Sequence, residues 1–279
     1  MLRDYQIEMK TRLMEAWKAH RSVMVQMPTG TGKTHLLASV VSEFVSSAGS
    51  GVWLIAHRRE LVAQMEETLA KYGIRREDTP VRVMSVQWLS RHWNEAGDAP
   101  GLIVIDEAHH ALAASYTEMW KRYPAAKKLG VTATPCRLNR RGFTELFEVL
   151  VTSWSIAEFI EKGVLSVFDY VSIRPGSEER RLIDGLEKRG ADGDYQVKEM
   201  DAVLNRRPGI ERLYRSVRQF ASGKKGMVYA ISIEHARRIA EYYSRRGVNA
   251  VAVDSKTPAM ERKRMVEERS EERRVGKEC

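Results

Sequence analysis

Short apolar runs rich in β-branched residues alternate along the chain with longer stretches whose apolar positions recur at helical spacing. Val23–Met27 predicts a strand, and Lys33–Val45 predicts the helix that follows it. A strand at Val52–Ala56, a helix over Arg58–Tyr72 and a strand near Val81–Met84 continue the pattern. Leu102–Ile105 and Leu129–Thr132 complete at least five strands. Strands separated by helix-length segments argue for a parallel sheet with crossover helices, so residues 1–150 are expected to form one α/β domain.

Residues 151–208 are less regular. They hold the charge cluster Glu178-Glu179-Arg180-Arg181 and the glycines Gly185, Gly190 and Gly193, and read as a connector. A second α/β pattern follows over 209–268, with strands at Met227–Ala230 and Ala250–Val253 and helices at Glu234–Arg246 and Pro258–Glu268. Two strands are too few for a stable doubly wound domain, so this second domain is expected to be partial.

A chain of 279 residues can hold about two domains, each with its own core. No apolar run reaches the roughly 18 residues of a membrane helix, and the N-terminus lacks the apolar stretch of a secretory signal. A cytoplasmic protein without a membrane partner is therefore expected. Cys136 and Cys279 are far apart and lack the paired spacing of a zinc site or disulfide framework, so no disulfide-linked partner is expected. The formal net charge of +9 favours polyanionic partners, because each neutralised phosphate releases condensed counterions.

Candidate chemistry sits at two strand ends. Pro28-Thr29-Gly30-Thr31-Gly32-Lys33-Thr34 lies between the first predicted strand and its helix. Glycines there let the backbone curl so that N–H groups point at phosphate oxygens, and the helix N-terminus adds positive potential. Lys33 would reach the terminal phosphates and the Thr34 hydroxyl would hold Mg2+. Met27 departs from the general pattern, which has a glycine at that place. The apolar run Ile103-Val104-Ile105 ends in Asp106-Glu107, putting two carboxylates at the carboxyl edge of the sheet, where ligands bind in this fold class. Asp106 would hold the metal, mainly through water, and Glu107 would orient or deprotonate an attacking water.

With these two blocks in place, Asp106-Glu107-Ala108-His109 matches the DEAH signature, and the chain resembles a superfamily 2 helicase or translocase of the DEAH type over about Leu2–Glu268. The resemblance implies a RecA-like doubly wound parallel sheet, followed by a partial second RecA-like domain. It implies ATP and Mg2+ as cofactors, with Lys33, Asp106 and Glu107 catalytic and Thr34 and Asp106 on the metal. Arg3, Gln6, Thr29, Gly30, Thr31, Gly32, Lys33, Thr34 and His109 would surround the nucleotide, Gln6 bonding the base as in the family's adenine-reading motif. Gly130-Val131-Thr132-Ala133-Thr134-Pro135 resembles the block that couples ATP state to strand binding through Thr132 and Thr134. His57-Arg58 resembles a backbone-gripping block and Ser85-Val86-Gln87 a second strand-contacting one, while Ser232 belongs to a run similar to the first motif of the second motor domain. His57, Arg58, Ser85, Gln87 and Ser232 would thus touch nucleic acid, with DNA favoured over RNA. Trp88 reads more readily as a core aromatic than as a base-stacking ring.

Unwinding, translocation without unwinding, and binding without turnover all fit these motifs. No later glycine-aspartate or glycine-arginine block follows, so hydrolysis by this chain is expected to be weak. The eleven residues Arg269–Cys279 back-translate, with permitted codons, into a common sequencing adapter beginning AGATCGGAAGAGC. They are expected to be foreign to the natural protein, although a charged helical extension has the same composition.

Overall fold

Alternate residues of the central strands enter two different cores, which is the period-two geometry of a sheet covered on both faces. The computed structural model describes residues 2–56, 59–75, 77–110, 114–135, 144–173, 176–188, 195–258, 260–262 and 264–265. The chain divides into two units, Met1–Phe168 and Asp169–Cys279.

In the first unit the element order is α1 (Asp4–Ala19), β1 (Ser22–Gln26), α2 (Lys33–Ala48), β2 (Val52–Ala56), α3 (Arg59–Ala70), β3 (Val81–Ser85), α4 (Val86–Leu89), β4 (Leu102–Asp106), α5 (Ala114–Arg122), β5 (Lys127–Thr132), β6 (Val149–Thr152) and α6 (Ile156–Glu161). Six strands form one sheet in the order β3-β2-β4-β5-β1-β6, every pair parallel. The five predicted strands are all present. A sixth, β6, lines the edge beside β1.

Val23, Val25, Val52, Leu54, Leu102 and Val104 face a core closed by α1, α2 and α3. Met24, Trp53, Ile55, Ile103 and Ile105 face the other, closed by α4, α5 and the Leu146-Phe147 pair. The unbranched and β-branched apolar runs are explained by this double burial, since a strand covered on both faces has no solvent side to keep polar.

The second unit holds α7 (Ser177–Asp184), α8 (Val197–Leu204), α9 (Arg207–Phe220) and α10 (Ile233–Ser244). Its core is small: Ile210 of α9 packs with Ile239 and Tyr243 of α10. The strands expected at Met227–Ala230 and Ala250–Val253 are not formed; neither run is paired in a ladder. Tyr229 is 90% exposed and Val251 61%. The first unit shows why apolar character is not enough here. Its first and second strands are separated in the sheet by β4 and β5, so two runs placed in that order have no partner in each other. The helix expected over Pro258–Glu268 is present at described positions 260–262 and 264–265, and the eleven-residue tail lies outside the described residues. Among the described residues no helix is long and apolar enough to cross a membrane.

Candidate nucleotide site

Strand register brings the chemistry together. Gln26 at the end of β1 is paired with Thr132 at the end of β5, and Val131 with Asp106 at the end of β4. The turns leaving three adjacent strands therefore open on one edge, beside the point where the strand order reverses.

The loop after β1 is shaped by its glycines. Gly30 (φ +87°) and Gly32 (φ +78°) are left-handed, a region that glycine enters without a Cβ penalty. A Cβ on Gly32 would lie 2.5 Å from Gln6 Nε2, and one on Gly30 would press Leu165 at 3.2 Å. Thr31 is buried and its hydroxyl donates to Pro28 O at 2.7 Å, closing the turn. Met27, at the variant position of the pattern, prolongs β1: its N–H donates to Thr132 O at 3.0 Å. Lys33 Nζ donates to Met27 O at 3.4 Å, and both Lys33 and Thr34 stand half-buried at the start of α2. Thr29 is exposed at the mouth.

Gln6 is 4% exposed. Its Nε2 donates to Thr31 O at 3.0 Å and Gly32 O at 3.2 Å, and its Oε1 accepts from Arg3 N at 2.9 Å. Tyr5, which the sequence reading passed over, donates from its hydroxyl to Thr31 O at 2.9 Å. Its ring meets Trp154 and, edge-on, Phe159 of α6. Lys10 clamps α1 to α2 through Ser39 Oγ at 2.8 Å and Glu43 at 2.6 Å. The loop is thus braced from behind by α1 and α6. The available signal for Tyr5 was its place next to Gln6; its partner is 26 residues away.

At the end of β4, burial first and the neighbouring Glu107 charge second hold the Asp106 carboxyl above the usual carboxylate range; Lys33 and the Glu107 N–H pull the other way. Glu107 has φ +50°, the one left-handed non-glycine among the described residues, and its N–H donates to Asp106 Oδ1 at 3.0 Å. Such a conformation costs about 1 kcal/mol or more and persists where surrounding structure imposes it. His109 follows in a 3-10 segment, Ala108–His110; its Nδ1 lies 2.9 Å from Thr132 Oγ1 and 3.3 Å from Glu107 Oε2. Thr132 is fully buried; its hydroxyl also accepts from Thr134 N at 3.1 Å and donates to Thr134 O at 3.2 Å. Acid pair, histidine and the two threonines form one connected network.

The expected strand contacts are placed less uniformly. His57 and Arg58 lie outside the described residues. Ser85 is 7% exposed and its Oγ caps α4, accepting from Trp88 N at 3.2 Å, while Gln87 is exposed on that helix. Trp88 is half-buried against the second core and stacks on His92, ring centroids 4.9 Å apart. Ser232, in the second unit, caps α10 by accepting from His235 N at 3.0 Å and donates to Asp201 Oδ1 at 2.5 Å.

Residues 1–137 match the family described as type III restriction enzyme, res subunit. Three relatives extend the likeness. A 51.5 kDa protein of a Lactococcus phage is 28% identical over 245 residues, covering 87% of this chain and 51% of the phage protein. The putative ATP-dependent helicase IRC3 of Saccharomyces cerevisiae is 27% identical over 297 residues, 96% of this chain and 42% of IRC3. The DNA 3'-5' translocase XPB2 of Sulfurisphaera tokodaii is 28% identical over 205 residues, 67% of this chain and 44% of that protein. The chain spans about half the length, or less, of these relatives. The phosphate loop and the acidic strand end both lie within the residues that the family match covers.

Proposed function

We propose that this chain is the nucleotide-binding part of an ATP-dependent nucleic-acid translocase or helicase, acting on DNA in preference to RNA. The observation that carries the reading is the network at three adjacent strand ends, in which Glu107 beside the phosphate loop is joined through His109 to Thr132 and Thr134. A group that senses the terminal phosphate is thereby tied to the turn after β5. DNA is favoured because the similar XPB2 is a DNA 3'-5' translocase.

In this reading the N–H groups of Gly30 to Lys33 and the N-terminus of α2 take the phosphates, and Lys33 exchanges Met27 O for a phosphate oxygen. Tyr5 and Gln6 keep the loop in shape, with Arg3 and Gln6 nearest the base. Thr34 and Asp106 would hold Mg2+, which supplies charge compensation on the phosphates when bound. The fit is electrostatic: Asp106 and Glu107 are adjacent half-buried acids, burial first and the Glu107 charge second push the Asp106 carboxyl upward, and a cation suits such a pair. Among the described residues no cluster of three or more His, Cys, Asp or Glu side chains could cage a metal alone, as suits an ion that arrives with phosphates. Glu107 would orient the attacking water and accept its proton, with His109 holding the carboxylate in place.

Movement without strand separation is a second reading, favoured by the match to a restriction-enzyme subunit. Triplex displacement without release of a duplexed strand identifies it. The nucleotide assignment is tested by calorimetry of Mg-ATP binding to Lys33→Ala. Loss of a charge-assisted phosphate contact, about 1.5–3 kcal/mol, weakens binding roughly 10- to 150-fold; unchanged affinity would overturn the assignment.

A further inference from the structure

We infer that the solvent face of α9 is a docking surface for the phosphodiester backbone of nucleic acid, separate from every strand-contacting residue named above. It shares with the proposed function only the class of partner.

The helix has two faces of opposite character. Ile210, Leu213, Tyr214 and Val217 turn to α10. Arg206, Arg207, Arg215 and Arg218 are exposed, and Lys224 and Lys225 continue the exposed run beyond the helix end. Between residues 206 and 225 seven cations face one acid, a net charge of +6 out of the chain's +9. That acid, Glu211, is already tied to Arg207 Nε at 2.9 Å. Arg215 and Arg218 have no hydrogen-bond or ion-pair partner among the described residues.

A merely solvated helix interleaves its charges, and other helices of this chain do so. Arg122 meets Glu118 at 2.8 Å on α5, Arg180 meets Asp184 at 3.7 Å on α7, and Arg245 meets Glu241 at 2.5 Å on α10. α9 instead stacks like charges along one side, which is destabilising in isolation and favours a polyanion whose condensed counterions are released on contact. The cations on the helix itself are all arginine, whose planar fork suits phosphate oxygens better than an ammonium does. Fourteen residues span about 21 Å, over which one DNA strand presents roughly six phosphates. A membrane surface fits less well, because a helix lying in lipid needs its apolar face, and that face is spent on α10.

The test titrates the full chain into fluorescent single- and double-stranded oligonucleotides of unrelated sequence at several salt concentrations. Replacing Arg207, Arg215 and Arg218 together with glutamine should flatten the slope of log affinity against log salt by roughly 2 to 3, alike on all sequences. The single changes Arg215→Gln and Arg218→Gln should each flatten it by roughly 0.7 to 0.9. The triple lysine variant should keep most of the slope, and Arg245→Gln, which removes a cation paired with Glu241, should leave it alone. Mg-ATP affinity measured on the same samples should not move, so a failed fold or a wrong nucleotide assignment shows there and not in the slope. Wild-type slopes in the triple and both single glutamine variants would overturn the inference. So would polyglutamate displacing the oligonucleotide as efficiently, charge for charge, as unlabelled DNA does, since that would mark a general acid-binding surface.

Discussion

Replacing Thr132 with valine keeps the shape of the side chain and deletes one hydroxyl, at a position with no exposed surface. That hydroxyl serves three bonds: it accepts from His109 Nδ1 and Thr134 N and donates to Thr134 O. The exposed Thr134 carbonyl can turn to water, so its loss is small. His109 retains Glu107 Oε2 at 3.3 Å as an acceptor. The Thr134 N–H also loses its acceptor; because Thr134 is exposed and the bond only part-buried, the cost is that of an ordinary hydrogen bond, about 0.5–1.5 kcal/mol. For a unit of this size each kcal/mol lowers Tm by roughly 2–4 °C, so a fall of about 1–6 °C is expected. Thermal melting measures it, and Thr132→Ser, which restores the hydroxyl, should recover most of the loss. His109 should respond as well: its Nδ1 loses the Thr132 oxygen at 2.9 Å, and its NMR chemical shifts should move. Mg-ATP affinity should change little, because the Thr132 hydroxyl bonds His109 and Thr134 rather than the phosphate loop. A valine variant that melts with the wild type and leaves the His109 chemical shifts in place would show that the network is a coincidence of distance.

Two further expectations concern the same strand ends. Because the folded-state carboxyl of Asp106 titrates above its unfolded value, its contribution to stability is fully present only below the unfolded pKa and is lost as pH rises through the folded one. At neutral pH the charge is therefore a burden on the ligand-free protein, and Asp106→Asn, which keeps the acceptor for Glu107 N–H, should raise Tm while weakening Mg-ATP binding; a lower Tm would contradict this. Gly130→Ala should destabilise by about 1–3 kcal/mol in a denaturant melt, since its Cβ would stand 2.5 Å from Phe147 Cζ and 2.8 Å from Ala108 Cβ on a central strand that cannot retreat; Phe147→Leu in the same chain should return part of that loss, and strict additivity of the two changes would refute the clash.

What could be read from the sequence was what is locally determined. The phosphate loop was legible because its glycines, its lysine and its flanking strand and helix are all within a dozen residues. β1, β2 and β4 were legible because burial on both faces leaves an uninterrupted apolar run. β6 gave a weaker signal: four residues on an edge, with Thr152 exposed. Tyr5 to Thr31 and His109 to Thr132 were not legible, being 26 and 23 residues apart and set by packing of whole elements. The inward turn of Ser85 did leave a trace, since a serine three residues before a free helix N–H is an ordinary cap. The strands expected at Met227–Ala230 and Ala250–Val253 are not formed for a related reason: hydrophobicity marks a strand that could be buried, and only a neighbouring strand makes it one.

The order of the sheet also sets a schedule. β1 bonds only to β5 and β6, so the strand that launches the phosphate loop stays unpaired until about a hundred further residues have been made. At ordinary synthesis rates that interval is roughly 5–20 s. Through it, Val23-Met24-Val25 is an apolar edge without a partner, open to chaperones or to the same strand of another nascent chain. The nucleotide cannot help earlier, because the loop has no fixed base and the acid pair on β4 has no neighbour to set its distance until β5 inserts between the two strands. Ligand binding is in this sense a report on the last stage of assembly: a chain that holds nucleotide has already closed its longest loop.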